Sequence, residues 1–443
     1  MTELLQELYK YTPRLVLEYI AEHPDRPLEP VAASFIGSAL FADMAGFTTL
    51  TEAIMQRSAN KNIHSGLIEL ADIVNLYLSR QIDIIDQFGG DIVKFAGDAL
   101  IAVWPASSES ELKKVTLQSV HCGLELQRQL HRTKIGSGLE LSLRIGVGAG
   151  PLIAQMVGGL YDRWEFLIGG DTIDQIGRAE KRAEPGQVVI SPQARRLISD
   201  SKTKREFGKF LLAKGQKPNM IGPKKIPELK PHCNKALQSF IPRRIVNLIE
   251  EGRGSSFART VEVRTVTVLF IRILEWHTAE LPIEQVHHVM RKVQDCLYRY
   301  EGAINRFGIE EKGTVILAAF GLPPLDHVDD ALRAMHSARD IIAELKELGH
   351  KAVIGVGTGV VFVGPMGNEI RSEYTMHGNI VNLAARLMQA SDSVYCDETT
   401  YQRIIKIKQN SAEAFSQLEF TTLEPMKVKG STEPVQAYRL ILN

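Results

Sequence analysis

Two aspartates in the first half of the chain have the chemistry to bind divalent cations. Asp43 follows an apolar stretch at 37–42, and Asp98 closes a glycine turn between two short apolar segments. Carboxylates at a strand end and at a neighbouring hairpin tip suit Mg²⁺, which prefers oxygen ligands and is often shared with substrate phosphates. Two such ions could stabilise the entering and leaving oxygens of an in-line displacement at phosphorus. The alternative is that Asp43 is a helix N-cap and Asp98 a turn former.

The residues just after Asp43 are candidates for phosphate binding. Ala45, Gly46, Phe47 and Thr48 open the next predicted helix. The first backbone N–H groups of a helix have no intrahelical acceptor, so this turn can bind a di- or triphosphate.

A separate candidate for the terminal phosphates is Arg144, at the edge of a glycine-rich strand. Its alternative interpretation is a solvated charge at a strand end.

The second half of the chain carries a different pair of groups. Asn382 and Arg386 are four residues apart and therefore share one helix face. A guanidinium can neutralise charge that grows on a pentavalent phosphorus, and an amide can orient a ribose. Taken alone, either residue could be purely structural. Taken with the two aspartates, they predict one composite site to which both halves contribute.

The elements that must position these groups occur twice in the same order. Gly90 and Gly302 are 212 residues apart, and Gly150 and Gly359 are 209 apart, which indicates a tandem duplication. Strands and helices alternate around a hairpin, so each copy is predicted to be α+β with helices over a mainly antiparallel sheet. The predicted elements are 37–42, 67–87, 91–95, 99–104, 111–130 and 141–148, then 265–271, 283–300, 303–307, 314–320 and 352–359.

Length and composition bound the class of protein. The chain has 443 residues, with 52 Lys+Arg and 52 Asp+Glu, so no overall charge favours nucleic acid or acidic membranes. No apolar run approaches the roughly 20 residues of a membrane helix. The four cysteines have no CxxC spacing, and the N-terminus lacks a signal-peptide pattern. We therefore expect a cytoplasmic protein that binds no nucleic acid and inserts into no membrane.

Four segments are predicted along the chain. They are a helical lead-in (1–33), a first domain with the metal ligands (34–200), a basic, proline-containing linker (201–259) and a second domain (260–443). Residues 202–235 hold ten Lys/Arg and two acids. This composition favours an extended, solvated linker, with a partner-binding or anionic-surface role as the alternative.

Four sequence motifs include the candidate residues above. The motifs are Phe41-Ala-Asp-Met-Ala-Gly-Phe-Thr48, Lys94-Phe-Ala-Gly-Asp-Ala-Leu100, Gly378-Asn-Ile-Val-Asn-Leu-Ala-Ala-Arg386 and Lys427-Val-Lys-Gly430. Together they resemble the motifs of one enzyme family, the class III nucleotidyl cyclases. The resemblance covers about residues 34–200 and 260–442, and the tandem arrangement is most similar to the paired catalytic domains of soluble, bicarbonate-responsive adenylyl cyclases.

The resemblance implies a fold and a reaction. The fold is two ferredoxin-like (βαββαβ) class III cyclase domains in an intramolecular pseudo-heterodimer, expected to be a monomer. The reaction converts ATP to 3′,5′-cyclic AMP and pyrophosphate by attack of the ribose 3′-hydroxyl on the α-phosphate. Asp43, Asp98 and the Met44 carbonyl would hold two divalent cations, Mg²⁺ or else Mn²⁺ or Ca²⁺. Asn382 would orient the ribose or transition state, and Arg386 would stabilise the transition state.

Base selection in this family implies two further residues. A lysine on the second hairpin and an Asp or Thr before the Gly-x-x-Val-Asn motif read the base, and these positions hold Arg306 and Thr375. Threonine fits adenine, whereas arginine departs from the family lysine and is not equivalent to it. The alternatives are a guanylyl or relaxed-specificity purine cyclase, or a non-catalytic nucleotide-binding module.

The second set of site positions in the pseudo-twofold pair is incomplete. Arg272 stands where the first copy has Asp43, and Asp174 and Arg178 have the spacing of Asn382 and Arg386. The family's second pocket binds bicarbonate through a lysine and an arginine. Lys94 matches the lysine, while Gly177 stands at the arginine position with Arg178 one residue along. Bicarbonate regulation is therefore an open expectation.

Overall fold

A computed structural model of the chain shows two compact units. It describes residues 3–59, 63–135, 138–198, 208–210, 221–252, 261–310, 313–410, 418–427 and 434–442. Unit 1 comprises Met1–Met156, Phe166–Thr260 and Pro365–Tyr374, and unit 2 comprises Val157–Glu165, Val261–Gly364 and Thr375–Asn443. Each unit contains one sheet with helices packed against it, so the α+β class is confirmed.

The first sheet has a central strand, β1, with antiparallel neighbours β3 and β5 on its two sides. Its order is β2-β3-β1-β5-β7-β8, with β4 and β6 also paired to β5, and β5 and β7 are parallel. The strands are β1 (Val31–Ala45), β2 (Asp91–Ala96), β3 (Ala99–Ala106), β4 (Thr133–Ile135), β5 (Leu139–Leu160), β6 (Arg163–Gly169), β7 (Val188–Ile190) and β8 (Gly208–Phe210). The helices are α1 (Glu3–Tyr9), α2 (Arg14–Glu22), α3 (Phe47–Ala59), α4 (Ile63–Gln87), α5 (Glu109–Leu130), α6 (Asp171–Glu180), α7 (Pro192–Ile198), α8 (Asn234–Gln238) and α9 (Arg243–Glu250).

The second sheet repeats this arrangement. Its order is β10-β11-β9-β12-β14-β16-β15, with β13 paired to β12 and with β12 and β14 parallel. The strands are β9 (Glu262–Leu274), β10 (Ala303–Glu310), β11 (Gly313–Phe320), β12 (Ala352–Gly367), β13 (Ser372–His377), β14 (Val394–Asp397), β15 (Phe420–Thr422) and β16 (Ala437–Leu440). The helices are α10 (Ile283–Tyr298), α11 (Asp330–Glu347), α12 (Asn379–Ala390) and α13 (Glu398–Asn410).

Strand register shows which residues of the two copies correspond. Phe41 lies opposite Gly146 in the first sheet, and Phe270 lies opposite Gly355 in the second. A β-bulge interrupts β2 just before Lys94 and β10 just before Arg306. A bulge inserts an extra residue and re-aims the next side chain, so both basic residues occupy the same special position. The predicted duplication is thus visible in the hydrogen-bonded ladders themselves.

Strand β1 is longer than predicted, with Val31–Ala45 in place of 37–42, and strands β5 and β12 are also much longer than their predicted lengths. Strand β5 continues past residue 148 to Leu160, and β12 continues past Gly359 to Gly367. Periodicity alone did not indicate the extensions of β5 and β12 because they are rich in glycine and include proline, which strands usually avoid. Most of β5 belongs to unit 1, but its end belongs to unit 2. Most of β12 belongs to unit 2, but its end belongs to unit 1.

The hairpin tip at 365–374 is held in unit 1 by a buried arginine. Arg371 is 6% exposed and donates to the carbonyl oxygens of Ile92 at 3.0 Å and Lys10 at 3.2 Å. Its guanidinium also lies over the Phe95 ring, 5.2 Å from the centroid. Burial lowers the pKa of Arg371. Because a buried charge is costly unless paired or hydrogen-bonded, these contacts fix the tip against β2, the strand that carries Lys94.

Residues 157–165 are held in unit 2 by polar side chains of α10. Gln294 donates to the carbonyl oxygen of Arg163 at 2.9 Å and accepts from the Leu160 amide at 3.3 Å. The His287 ring stacks on Trp164 with centroids 5.9 Å apart. Gly158 has φ +105°, and a Cβ there would lie 2.7 Å from the Gln294 amide nitrogen. Glycine is therefore required where this segment contacts α10.

The basic linker differs from its predicted extended form where it is described. Strand β8 pairs with β7, and the Leu229 amide donates to the Tyr9 hydroxyl at 3.0 Å. Helix α9 buries Ile245 and Leu248 in unit 1. The high lysine content had obscured this short apolar pattern. Residues 199–207 and 211–220 lie outside the described residues, and the predicted domain boundaries stay predictions.

None of the helices within the described ranges combines the length and the apolar character needed to cross a bilayer. The four cysteines are buried and form no disulfide.

A close backbone approach fixes α6 on β5. Gly146 faces α6, and a Cβ there would overlap the Ile176 carbonyl oxygen and lie 2.5 Å from the Glu180 amide nitrogen. Gly355 meets α12 in the same way, through Ala384 and Met388. Since any side chain would force the helix away from the strand, both helices have a fixed position along their sheets.

We predict that Gly146→Ala lowers the free energy of unfolding by about 1–3 kcal/mol, because the new methyl group cannot be accommodated by backbone atoms. Gly177→Ala is the matched control on α6, where nothing lies within 4 Å of the added Cβ. That change should instead stabilise the helix by about 0.5–1 kcal/mol. Urea unfolding followed by circular dichroism measures both, and equal effects would contradict the proposed packing constraint.

Candidate functional site

Asp43 lies near the end of the central strand β1, on the ladder with β5. Its Cα partner across that ladder is Arg144. On the other side, the pairing of β1 with β3 ends at Ala42 opposite Leu100. Antiparallel strands run in opposite directions, so the next residues of β1 pass the hairpin turn that contains Asp98. The local fold therefore brings the two predicted metal ligands to one end of the sheet.

Arg144 connects two carboxylates at this end of the sheet. Its Nη2 donates to Asp43 Oδ2, and its Nε lies 3.1 Å from Oε1 of Glu180. Burial alone would lower the pKa of the guanidinium, but the hydrogen bond to Asp43 and the charges of Asp43, Glu180 and Asp98 outweigh it and raise the pKa. Arg144 is thus a cation that contacts two acids, Asp43 and Glu180, and is further stabilised by the charge of Asp98.

The two carboxylates that contact Arg144 are largely withdrawn from water. Burial raises the pKa of Asp43, and Arg144 opposes that change. Burial also raises the pKa of Glu180, with a further contribution from the negative charge of Asp43. Removing a carboxylate from water disfavours its charged form, so Arg144 is the group that keeps this cluster compatible with two anions.

The donor set at this end of unit 1 fits a divalent cation. Asp43 and Asp98 offer carboxylate oxygens. The backbone carbonyl of Met44, between Asp43 and the start of α3, offers a third oxygen. Mg²⁺ commonly binds through one or two carboxylates and completes its shell with water and substrate phosphates. In the described part of the chain, no group of three or more His, Cys, Asp or Glu side chains is arranged as a closed metal site. An open site with two carboxylates is consistent with the oxygen donors present and with the lack of a closed ligand group among the described residues.

The turn after Asp43 has the predicted geometry at its helix start. Strand β1 ends at Ala45, and α3 begins at Phe47. Gly46 between them has φ +98°, and a Cβ there would lie 3.0 Å from the Glu140 carbonyl oxygen, so glycine is needed. The first amides of α3 remain candidates for phosphate binding, because helix N-termini leave such donors without intrahelical acceptors. The side chain of Thr48 lies outside the described residues.

In unit 2, Asn382 and Arg386 lie on α12 as predicted. Asn382 is exposed and Arg386 half-buried. The close approach at Gly355 sets the position of α12 on β12. The same approach at Gly146 places Asp174 and Arg178 of α6 at the corresponding positions of unit 1. The chemistry of the two helices differs although their packing is the same.

Thr375 and Arg306 lie near a buried histidine that sequence reasoning did not single out. His377 follows Thr375 by two residues on β13, and successive odd positions of a strand share a face. Its ring stacks on Phe362 with centroids 5.0 Å apart. Burial, with a smaller contribution from the positive charge of Arg306, lowers the pKa of His377 to about 3, so the ring is neutral. The sequence did contain one indication of this histidine: it lies two residues after Thr375, and in a strand such residues share a face.

The second copy lacks the acids of the first at the corresponding places. Arg272 stands on β9 where β1 has Asp43, is 7% exposed and lies opposite Val353. The β10–β11 hairpin is longer than its counterpart, with Glu310 opposite Gly313. Glu311 and Lys312 lie outside the described residues, as do 428–430 of the last motif. The role of each predicted site residue, including Lys94 and Arg178, stays a prediction.

Glu180 is a second residue that sequence reasoning missed. It is the last residue of α6, four positions after Ile176, on the face that contacts β5. A glutamate near the end of a short helix looks like an ordinary solvated charge in the sequence. Only the guanidinium of Arg144 facing it gives it a role.

The fold of each unit is that of a nucleotide cyclase catalytic domain, as comparison with known proteins shows. The model of the adenylate and guanylate cyclase catalytic domain matches residues 37–222 and 259–441, more than half of the chain. The chain therefore belongs to this family.

Individual relatives have more specific names than the family. The chain is 28% identical over 429 residues to "Adenylate cyclase type 10" of Oryctolagus cuniculus, which covers 88% of this chain and 26% of that protein. The Homo sapiens protein of the same name is 28% identical over 410 residues, covering 85% and 25%. The chain thus spans about a quarter of the length of these curated relatives.

One solved structure matches most of the chain. It is a class III adenylyl cyclase-like ATP-binding protein from Pseudomonas aeruginosa, with a TM-score of 0.56 at 14% identity, covering 88% of this chain and 92% of that one. At this identity the likeness supports the class III cyclase fold and nothing more specific.

Proposed function

We propose that the chain is an adenylyl cyclase that converts ATP to 3′,5′-cyclic AMP and pyrophosphate. One observation carries the proposal: Asp43, Asp98, Asn382 and Arg386 are all retained in a chain whose two copies both match the cyclase catalytic domain. A module that only binds nucleotide has no chemical need for all four. The name of the relatives at 28% identity, adenylate cyclase type 10, supports adenine as the base.

The reaction is an in-line displacement at the α-phosphorus. The ribose 3′-oxygen forms a bond to the α-phosphorus as the bond to the pyrophosphate oxygen breaks. Pyrophosphate is the leaving group, and the proton of the 3′-hydroxyl is released to solvent water. Asp43, Asp98 and the Met44 carbonyl would hold two divalent cations, Mg²⁺ or else Mn²⁺ or Ca²⁺. When bound, such ions stabilise the entering and leaving oxygens.

The chain's own residues supply binding and electrostatic stabilisation. The N-terminal amides of α3 and the guanidinium of Arg144 bind the phosphates. Arg386 stabilises the charge that develops on the pentavalent phosphorus, and Asn382 orients the ribose. These roles require that the residues of units 1 and 2 act on the same nucleotide, which is part of the proposal.

Base recognition is assigned to Thr375 and Arg306. The Thr375 hydroxyl can accept a hydrogen bond from the adenine amino group, and Arg306 can donate to the ring N1. Neither position offers the carboxylate that would favour guanine. The arginine in place of the family lysine is the observation that keeps a guanylyl or relaxed-specificity purine cyclase as the second candidate.

We also propose that Lys94 and Arg178 belong to a regulatory pocket for bicarbonate, because Lys94 lies on the first hairpin and Arg178 on α6, next to the position of the family arginine. Gly177 at the family arginine position makes this the weakest match. The composition and the free, buried cysteines suit a cytoplasmic protein. We also propose that the chain is a monomer, which size-exclusion chromatography with light scattering checks.

We predict that Asp43→Asn and Arg386→Ala each lower the turnover of Mg²⁺-ATP to cyclic AMP by about 10²–10³-fold, since each removes charge stabilisation of the transition state. For Arg386→Ala, kcat should fall with little change in KM. Arg403→Ala, at an exposed arginine of α13, is the matched control and should keep full activity. Wild-type protein that binds ATP without forming cyclic AMP would favour the non-catalytic module.

We predict that Arg306→Lys raises the ratio of kcat/KM for ATP to that for GTP by about fivefold, the value of one well-placed hydrogen bond. Arg306→Met should lower this ratio, because the donor to the base is lost. Arg299→Lys, at an exposed arginine just after α10, is the control. An unchanged ratio in both Arg306 variants would show that another residue reads the base.

We predict that sodium bicarbonate raises cyclase activity relative to sodium chloride at equal ionic strength and constant pH, and that Lys94→Met removes the increase. Saturating Mg²⁺-ATP excludes an effect on substrate binding. Activity that stays flat on adding bicarbonate would rule the pocket out and leave the cyclase assignment intact.

A further inference from the structure

Arg144 has two carboxylate partners of different kinds. Asp43, the proposed metal ligand, accepts from Nη2, and Glu180 lies 3.1 Å from Nε on the other side of the guanidinium. The Arg144 side chain is 40% exposed, whereas that of Glu180 is only 9% exposed. Glu180 therefore lies beneath the arginine, on its buried side, and is not part of the surface that a substrate would meet.

The position of Glu180 follows from the packing of α6. Its amide nitrogen lies 2.5 Å from where a Cβ of Gly146 would be, so the helix end is pressed onto β5. A carboxylate in such a place costs several kcal/mol unless it has a counter-ion. Arg144, two residues before Gly146 on the same strand, provides that counter-ion. The fold thus retains a costly group whose nearest positive charge is Arg144.

The second copy of the fold is an internal control for these residues. Strand register and the glycine contacts equate Asp43 with Arg272, Arg144 with Val353 and Glu180 with Met388. Asp43, Arg144 and Glu180, which together form an ion chain, are all replaced in the second copy, two of them by apolar residues. The packing of helix on strand is the same in both copies. Glu180 is therefore not needed for the fold, and its presence accompanies that of Asp43 and Arg144.

We propose that Glu180 is a positioning residue that holds Arg144 and so lets Asp43 exchange the guanidinium for a divalent cation. The inference rests on the proposed function, in which Asp43 is a metal ligand. With Asp43 as its only partner, Arg144 would remain bound to that carboxylate and compete with any incoming cation. Because Glu180 offers a second carboxylate, Arg144 can release Asp43 and still be paired. It then stays near the phosphate-binding end of the sheet.

The test is Mn²⁺ binding to the protein without nucleotide, measured from the electron paramagnetic resonance signal of free Mn²⁺. Glu180→Gln should weaken binding by about tenfold, a typical size for coupling between contacting charges. Arg144→Met should strengthen binding, because the competing cation is gone. In the Arg144→Met background, Glu180→Gln should change affinity by less than about twofold. Glu184→Gln, at an exposed glutamate just after α6, is the control.

The variants separate this inference from the proposed function. Mn²⁺ affinity that is unaffected by Asp43→Asn overturns the metal site and the inference with it. Affinity that depends on Asp43 but not on Glu180 overturns the inference alone. Loss of affinity on Glu180→Gln that persists in Arg144→Met shows a direct effect on the cation and also overturns the positioning role. The double change Arg144→Val with Glu180→Met introduces the residue types that unit 2 has at the corresponding positions. It removes both charges but uses a packing already present in this fold, so we expect the variant to fold.

Discussion

The structure depends on the direct contact of helix backbone with strand backbone at two glycines, Gly146 and Gly355. Each lies on the strand beside the central one, and each lacks the side chain that would hold the following helix away. The helix therefore has one allowed position on the strand. This contact fixes the distance of each of its residues from the end of the strand. Asn382 and Arg386 in one unit, and Glu180 in the other, owe their locations to this contact.

The two copies show how one frame can carry different chemistry. Their strand ladders, hairpin bulges and helix contacts correspond closely. At the strand ends, however, unit 1 has the ion chain of Asp43, Arg144 and Glu180, while unit 2 has Arg272 with apolar neighbours. Backbone packing tolerates these exchanges because it involves glycine and main-chain atoms, so the side chains that face the site can diverge without changing the fold.

The long strands β5 and β12 add a second level of organisation. Each runs beyond its predicted end. The last residues of β5 belong to unit 2, and the last residues of β12 belong to unit 1. Arg371 is the clearest example, since a buried guanidinium must satisfy its donors and does so on main-chain carbonyls of β2 and of the segment after α1. The strand that carries Lys94 is consequently held from its outer side by a residue almost 280 positions away in the chain.

The sequence by itself determined the duplication and the order of strands and helices, and it singled out Asp43, Asp98, Asn382 and Arg386 as candidate site residues. These signals are local: apolar periodicity, glycine turns and the spacing of a few polar residues survive without knowledge of distant contacts. Only the tertiary structure decided the lengths of β5 and β12, the helical part of the linker, the burial of His377 and the role proposed for Glu180. A glutamate at a helix end or a histidine in a strand has the same local sequence whether it is solvated or buried. Its partners come from other elements, so its pairing and burial exist only once the chain has folded.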